Sequence, residues 1–225
     1  MRILVTGGGG QVASAISHYF PSHWEVKCVS HKALDISDST AIQFAIGSFL
    51  PDVVINTAAF TAVDEAEKSP SLAFYVNAEA VAILATMCDA ENIPLIHLST
   101  DYVFDGEQSF AYKETDATNP INLYGLSKLK GEEAVRELCE KHIILRVSSV
   151  FSPYGNNFVK TILRLATERE TLKIIADQQH CPTSASSIAL SLSIIIENLS
   201  NKAWGTYHYC DSPSTTWFDF SQRII

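Results

Sequence analysis

The stretch VTGGGGQVA, residues 5 to 13, constrains the fold of this chain more than any other segment. Glycine loses more conformational entropy on folding than any other residue, so a turn or a close backbone approach must require four in a row. The apolar run MRILV precedes the glycines, and Ala13, Ile16 and Phe20 follow them at helical spacing. The segment is therefore predicted to form a strand, a glycine turn and a helix.

A strand, glycine turn and helix in this order is typical of dinucleotide binding. Gly7 would allow the tight turn, Gly10 would let a pyrophosphate approach the backbone, and the first N–H groups of the helix would face the phosphates. Ala13 stands at the third small position of this fingerprint. A flexible loop that binds nothing is the alternative interpretation. The residues predicted to bind the cofactor here are Gly7, Gly9, Gly10, Gln11 and Val12.

Composition favours a cytoplasmic protein with one core and an appended lobe. The chain has 225 residues, of which 47% are hydrophobic and 18% charged, and its formal net charge is -9. Such a charge argues against nucleic acid or an anionic membrane surface as the main partner. The five cysteines form no CxxC pair, which favours a reducing compartment. We find no N-terminal signal before the first strand and expect no apolar run long enough to span a bilayer.

Apolar runs alternate with longer helical patterns along the chain, and the strand-like runs are apolar throughout. This pattern predicts a doubly wound α/β fold of the Rossmann type, with a parallel sheet covered on both faces. The predicted strands are RILVT, EVKCVS, DVVINTAA, PLIHLST, HIILRVSSV and LKIIA. The predicted helices lie near residues 10 to 20, 38 to 49, 70 to 91, 123 to 141, 157 to 168 and 184 to 199.

Residues that follow the second strand bear on the choice of cofactor. A cofactor without a 2'-phosphate usually meets an acid on its ribose, but Ser30, His31 and Lys32 stand at that place. Cationic and hydroxyl groups would bind a 2'-phosphate. NADPH is therefore the predicted cofactor, and NADH stays open as the alternative. Asp35, which precedes Ile36, could accept from the adenine amino group or cap the helix near residue 38. Further cofactor contacts are predicted at Ile36, Ala58 and Ala59.

Tyr124 and Lys128 are four residues apart on a predicted helix and therefore share a face. A buried ammonium beside a phenol would lower the pKa of Tyr124 and make it a proton donor or acceptor near neutrality. Ser99 or Thr100, at the end of the fourth strand, could hydrogen-bond the same substrate oxygen. Together with the glycine turn, these side chains stand at the expected places of an α/β chain, which makes a chance match a poor explanation.

Seven blocks carry a resemblance to a known family, and they occur in order over the whole chain. They are GGGGQVA, NTAAFTAVDEAE, STDYVFDG, YGLSK, GNNFVKTILRLA, DQQHCPT and STTWFDF. Together they resemble the dTDP-4-dehydrorhamnose reductase family of extended short-chain dehydrogenases/reductases. The resemblance implies reduction of the C4 ketone of a dTDP-linked deoxyhexose by NAD(P)H, the last step of dTDP-L-rhamnose synthesis.

Carried over residue by residue, the resemblance implies a set of site residues. The catalytic positions match Thr100, Tyr124 and Lys128, of which Lys128 would also hold the nicotinamide ribose. The positions on the substrate side match Thr61, Val63, Asp101, Tyr102, Asn157 and Trp217. The expected partner is a dTDP-sugar, with neither nucleic acid nor membrane, and a homodimer is left open.

The chain departs from the family pattern at several positions. Ser149 stands where a tryptophan is usual beside the substrate, and His180 stands where glycine is usual. Some relatives place glutamates at a magnesium site in a dimer interface, but the matching positions here are Ala15 and Ser186, so no metal is predicted. Tyr102 replaces the glutamate of the related dehydratases, which disfavours dehydration.

Relatives usually continue for some tens of residues beyond the TTWxDF block. We therefore expect a small, incomplete C-terminal substrate-binding lobe, with Trp217 and Phe218 lacking part of their packing partners. The predicted division is a cofactor-binding Rossmann domain over 1–151, its sheet continued by about 173–210, and a substrate lobe from 152–172 and 211–225. Two alternatives stay open: a non-catalytic dinucleotide-binding regulatory protein of the same fold, and a reductase or epimerase of another nucleotide sugar.

Overall fold

A six-stranded parallel sheet forms the centre of the computed structural model, which describes residues 1–200 and 203–225. The strand order β2-β1-β3-β4-β5-β9 reverses direction between β1 and β3, which places a ligand crevice at their carboxyl ends. The predicted doubly wound fold is confirmed. The strands are β1 Arg2–Thr6, β2 Glu25–Val29, β3 Val53–Asn56, β4 Leu95–Thr100, β5 His142–Val147 and β9 Gly205–Tyr209.

Helices cover both faces of the sheet. One core contains buried residues of α1 and α8, and the other contains buried residues of α2, α5 and α6. A π-helical turn, Tyr75–Glu79, joins α4 to α5, and a 3-10 turn, Asp101–Val103, follows β4. The helices are α1 Gln11–Tyr19, α2 Ser39–Phe49, α3 Val63–Lys68, α4 Pro70–Phe74, α5 Ala80–Ala90, α6 Leu123–Leu138, α7 Phe158–Glu168, α8 Ala185–Glu197 and α9 Trp217–Ile224.

Two short strand pairs join the segments beyond the main sheet. The first is parallel, between β6 Val150–Phe151 and β8 Thr183–Ser184. The second is antiparallel, between β7 Gln179–His180 and β10 Thr215–Thr216. Because β10 leads directly into α9, these pairs hold the C-terminal segment against the loop that follows β5.

The sixth strand differs from the prediction. The run LKIIA, residues 172–176, has no regular structure, and the Ile175 carbonyl instead accepts a hydrogen bond from Phe218 N. The sheet is completed by β9, whose sequence GTYHY is only half-buried and which, among the described residues, pairs with β5 alone. An edge strand of this kind lacks the continuous apolar run that marks a central parallel strand. Residues 201 and 202, inside the predicted segment 173–210, lie outside the described residues.

The helical stretch Pro70–Ala90 also differs from expectation. Its 21 residues are long and apolar enough, by length and composition, to cross a membrane. The expectation that the chain has no such run is therefore wrong. In the structure Val81, Leu84 and Ala85 are fully buried in the core between α2 and α6, which accounts for the apolar character of this stretch.

Two glycines in α6 allow this helix to approach its neighbours. A Cβ added at Gly131 would lie 2.1 Å from the Asn77 carbonyl oxygen, and one at Gly125 would lie 2.1 Å from the Tyr102 carbonyl oxygen. Both distances are far shorter than any van der Waals contact. In YGLSK, sequence reasoning considered the tyrosine and the lysine but missed the role of Gly125 between them.

We expect Gly131→Ala to lower the free energy of unfolding by about 1–3 kcal/mol, because α6 must move away from the Asn77 backbone. Urea denaturation measures this change. The matched control is Gly47→Ala in α2, where an added Cβ meets nothing within 4 Å. That variant should gain about 0.5–1 kcal/mol from helix propensity. Equal stability of the two variants would contradict the close approach.

Candidate active site

The glycine turn packs against the ends of two neighbouring strands. Gly7 has a φ of +71°, and a Cβ there would lie 2.7 Å from Ala58 N. Gly8, which sequence reasoning did not single out, donates its N–H to Val29 O at 2.7 Å, and a Cβ there would lie 2.7 Å from the Val29 carbonyl carbon. The first two glycines are therefore needed for packing within the protein.

The third glycine of the turn faces open space. A Cβ at Gly9 would meet nothing within 4 Å, and Gly10 is the N-cap of α1 without a side-chain cap. The first-turn N–H groups of a helix have no partners within the helix, and its dipole is positive at this end. These features fit the phosphates of a dinucleotide.

Gln11 connects the glycine turn to the loop after β6. Its Oε1 accepts hydrogen bonds from Ser152 Oγ and from Asn157 Nδ2, each at 2.9 Å. Asn157 also caps α7 by accepting from Lys160 N. The structure thus brings together two residues that were predicted for different sites, Gln11 for the cofactor and Asn157 for the substrate. Val12, in contrast, is buried in the core.

At the end of β2, Ser30, His31 and Lys32 are exposed, as a site for a 2'-phosphate would require. Asp35 Oδ1 accepts from Ser37 N at 2.9 Å and Ser37 Oγ at 2.7 Å, and these bonds hold the pKa of its carboxyl below the usual value.

The capping alternative for Asp35 is wrong, because Asp38 caps α2 by accepting from two backbone N–H groups of the first turn. Nearby, the Ile36 side chain is buried in the core, whereas Ala58 and Ala59 are half-buried beside the glycine turn.

Thr100, Tyr124 and Lys128 lie together at the carboxyl edge of the sheet. Thr100 ends β4, and the other two residues lie one turn apart on α6. Lys128 Nζ donates to Leu98 O at 2.8 Å, which ties α6 to β4. The three residues are 6%, 9% and 2% exposed, respectively.

The pKa of Tyr124 differs in direction from the prediction. Burial raises the pKa of Tyr124 above its ordinary value, while the nearby Thr100 hydroxyl acts in the opposite direction. Burial likewise lowers the pKa of Lys128 to about 8. Desolvation outweighs the expected effect of the ammonium, because Lys128 Nζ faces β4. The phenol therefore keeps its proton, which suits a proton donor.

Asp101 orients Thr100 from the following position. Its Oδ1 accepts from Thr100 Oγ1 at 3.1 Å, and its Oδ2 accepts from Ser148 Oγ at 2.6 Å. Burial raises the pKa of this carboxyl. Ser148, at the end of β5, was missed by sequence reasoning, because a serine after a strand carries no distinctive spacing.

Tyr102 and Val63 pack around Tyr124. The Tyr102 ring meets the Tyr124 ring edge to face, with centroids 5.6 Å apart, and Val63 belongs to the same apolar cluster. Thr61, two residues before Val63, is exposed. Val63 and Tyr102 therefore border the Tyr124 side chain.

Two of the departures from the family pattern, Ser149 and His180, contact each other. His180 Nδ1 lies 2.7 Å from Ser149 Oγ, and its ring stacks on Trp217 with centroids 3.7 Å apart. Burial lowers the pKa of His180 to about 4. Trp217 also contacts the Phe158 ring and is half-buried, and the expectation that it lacks part of its packing partners stays a prediction. Phe218, in contrast, is 40% exposed.

No group of three His, Cys, Asp or Glu side chains that could hold a metal ion occurs within residues 1–200 and 203–225. Absence of a metal remains a prediction.

Comparison with known proteins identifies the family. The family model described as "RmlD substrate binding domain" matches residues 1–225. The dTDP-4-dehydrorhamnose reductase of Aggregatibacter actinomycetemcomitans is 42% identical over 229 residues, covering 100% of this chain and 78% of that protein.

Two solved structures are also similar. A dTDP-4-dehydrorhamnose reductase from Bacillus anthracis in complex with NADP superimposes with a TM-score of 0.94 at 35% identity, covering 99% of this chain and 79% of that chain. An ortholog from Clostridium acetobutylicum has a TM-score of 0.93 at 36% identity, covering 100% of this chain and 79% of that chain. The chain therefore belongs to the RmlD substrate binding domain family, together with these dTDP-4-dehydrorhamnose reductases.

Proposed function

We propose that this chain is an NADPH-dependent reductase that converts dTDP-4-dehydro-L-rhamnose to dTDP-L-rhamnose. The observation that carries the proposal is the buried group of Thr100, Tyr124 and Lys128 at the carboxyl edge of the sheet that bears the glycine turn. Family membership supports the substrate, and the NADP complex of the Bacillus anthracis relative supports the cofactor.

The residues of the site suit the protonation half of a ketone reduction. NADPH, when bound, supplies the hydride. Tyr124 donates its phenolic proton to the oxygen of the sugar carbonyl as negative charge develops there. The Thr100 hydroxyl donates its one O–H to Asp101 in the structure and would turn this O–H to the same oxygen when the sugar binds. Because Tyr124 is only 9% exposed, few water molecules reach its side chain.

The cofactor would lie along the crevice with its phosphates on the turn from Gly7 to Gly10 and on the start of α1. Lys128 would hold the hydroxyls of the nicotinamide ribose. At the other end, Ser30, His31 and Lys32 would meet the 2'-phosphate, and Asp35 would face the adenine. Ala58 and Ala59 would allow the backbone to run beneath the cofactor.

We expect Lys32→Ala to weaken NADPH binding by about 1–3 kcal/mol, as for a lost charge-assisted hydrogen bond, and to leave NADH binding nearly unchanged. Isothermal titration with each cofactor measures both changes. Lys141→Ala is the control, because Lys141 adjoins the amino end of β4, at the opposite edge of the sheet. Equal weakening of both cofactors would contradict a 2'-phosphate contact at Lys32.

On the substrate side, we propose that Thr61, Val63, Asp101 and Tyr102 line the sugar pocket near Tyr124. Asn157 and Trp217 would contribute from the substrate lobe, formed by 152–172 and 211–225, with the Rossmann domain over 1–151. A cytoplasmic location is supported by five cysteines that are all free thiols. A homodimer is a further prediction, which analytical ultracentrifugation tests.

Oxidation of NADPH by the purified chain tests the proposal. The substrate is dTDP-4-dehydro-L-rhamnose made by the preceding pathway enzymes, and absorbance follows the cofactor. Turnover that depends on this sugar would support the reductase. Tight NADPH binding without turnover would contradict it and favour a non-catalytic dinucleotide-binding protein.

A further inference from the structure

A line of buried polar side chains runs across the sheet beneath the proposed active site. Thr6 of β1 donates to Asn56 Oδ1 of β3 at 2.6 Å, and Asn56 Nδ2 lies 3.0 Å from His97 Nδ1 of β4. His97 Nε2 lies 3.4 Å from Lys128 Nζ of α6. The first three residues are 0% exposed, and Lys128 is 2% exposed. The proposed mechanism does not use His97.

The hydrogen bonds along this line fix the position of the proton on His97. The backbone N–H of Ala58 can only donate, and it donates to Asn56 Oδ1 at 3.1 Å. The other end of the amide, Nδ2, must therefore face His97 and can only donate to it. His97 Nδ1 is then the acceptor, so the neutral ring carries its proton on Nε2.

A doubly protonated His97 ring is disfavoured at this place. Burial and the nearby Lys128 hold the pKa of His97 well below its ordinary value. The Nε2–H group consequently points at Lys128 Nζ. An ammonium has only N–H groups to offer, whereas a neutral amine has a lone pair that can accept.

We propose that His97 is a positioning residue, which donates its Nε2–H to Lys128 Nζ and biases the resting Lys128 side chain toward the neutral amine. In this resting state Lys128 also donates to Leu98 O. The bias applies to the protein before the cofactor draws Lys128 toward its ribose. The later movement of Lys128 toward the cofactor ribose rests on the proposed function. The proton positions on His97 and Lys128 in the resting protein do not.

The other charges around Lys128 do not cancel this bias. Glu132, the next turn of α6, favours the ammonium. However, its carboxylate is already held by Arg146 of β5 and by Arg136. Tyr124, one turn earlier, keeps its phenolic proton and adds no negative charge.

Nitrogen-15 NMR of histidine-labelled protein, without cofactor or substrate, tests the tautomer directly. His142 is an internal reference, because its Nδ1 lies 2.6 Å from the Cys139 carbonyl oxygen and must carry the proton there. We expect His97 to show the opposite pattern, with a pyridine-like Nδ1 and a pyrrole-like Nε2. A proton on His97 Nδ1, or on both nitrogens, at neutral pH would overturn the proposal.

The variant His97→Asn tests the effect on Lys128. Asparagine can keep an acceptor for Asn56 Nδ2 and has no group at the position of Nε2. We expect the pKa of Lys128 to rise by about one pH unit, the equivalent of one hydrogen bond. Carbon-13 NMR of labelled lysine measures this titration, with the resonance assigned by its loss in Lys128→Met.

The control for this titration is His142→Asn, which should leave the pKa of Lys128 unchanged. An unchanged pKa in His97→Asn would overturn the proposal. Neither NMR experiment involves turnover, so a failed reductase assay would contradict the proposed function alone. If His97→Asn does not fold, the tautomer of the unmodified protein decides the question.

Discussion

Replacing Tyr124 by phenylalanine is expected to lower kcat for ketone reduction by about 100- to 10,000-fold, the usual contribution of a general acid. The phenol is 9% exposed, and burial keeps it protonated, so it is the proton donor best placed beside Thr100. NADPH affinity should stay near that of the unmodified protein, because the change removes one oxygen atom and leaves the glycine turn intact. Single-turnover kinetics with a parallel NADPH titration measure both quantities.

The matched control is Tyr207→Phe. Tyr207 is 40% exposed on the edge strand and donates to Ala203 O at 2.9 Å, away from the carboxyl edge. Its loss should change kcat by less than about twofold, since surface substitutions away from a site have small effects. A Tyr124→Phe variant that keeps a tenth or more of the activity would contradict the assignment of the proton donor.

A large loss of stability is expected for Glu132→Gln. Glu132 is 0% exposed, and its carboxylate accepts from Ser99 Oγ at 2.6 Å, from Arg146 Nη2 at 2.7 Å and from Arg136 Nη1 at 3.1 Å. Its removal leaves the Arg146 guanidinium, 5% exposed, without its buried counter-charge. Breaking a buried pair in this way costs about 3–5 kcal/mol.

Urea denaturation at neutral pH measures this loss, and Glu133→Gln is the control. Glu133 pairs with Lys130 on the exposed side of α6, where the side chains are about half exposed. Such surface pairs contribute about 0–1 kcal/mol. A loss below 1 kcal/mol in Glu132→Gln would show that the buried pair contributes little.

The same carboxylate predicts how stability depends on pH. Burial raises the pKa of Glu132, but hydrogen bonds and charge from Arg146, with help from Ser99 and Arg136, lower it to a net value below the ordinary one. A depressed pKa in the folded state stabilises the protein above the unfolded-state pKa, and this stabilisation is lost as the pH falls through the folded-state value. Denaturation at several acidic pH values should therefore show a smaller loss for Glu132→Gln than for the unmodified protein.

Local sequence patterns predicted most of the fold. The strands β1, β3, β4 and β5 are buried on both faces, so their continuous apolar runs identify them. The run LKIIA had the same appearance but has no neighbour in the sheet. The edge strand β9, GTYHY, mixes small, aromatic and polar residues instead of a continuous apolar run. Its local sequence therefore did not predict its pairing with β5.

The sequence predicted the positions of the candidate site residues better than it predicted their pKa values. Spacing and resemblance predicted that Thr100, Tyr124 and Lys128 lie close together, and the structure places all three at the carboxyl edge of the sheet. The pKa of Tyr124 was predicted in the wrong direction, because burial and the orientation of Lys128 depend on tertiary contacts that no spacing reveals. The contacts of His97 are also tertiary. From the sequence, one histidine in an apolar strand is most often a packed core residue, so His97 was missed.

Transfer of deuterium tests the reductase most directly. NADPH that carries deuterium at nicotinamide C4 is incubated with the chain and dTDP-4-dehydro-L-rhamnose, and the sugar product is examined by NMR. The reductase is expected to yield dTDP-L-rhamnose with deuterium on the sugar C4. Sugar that is epimerised without net deuterium gain, or NADPH that is bound and never consumed, would contradict it.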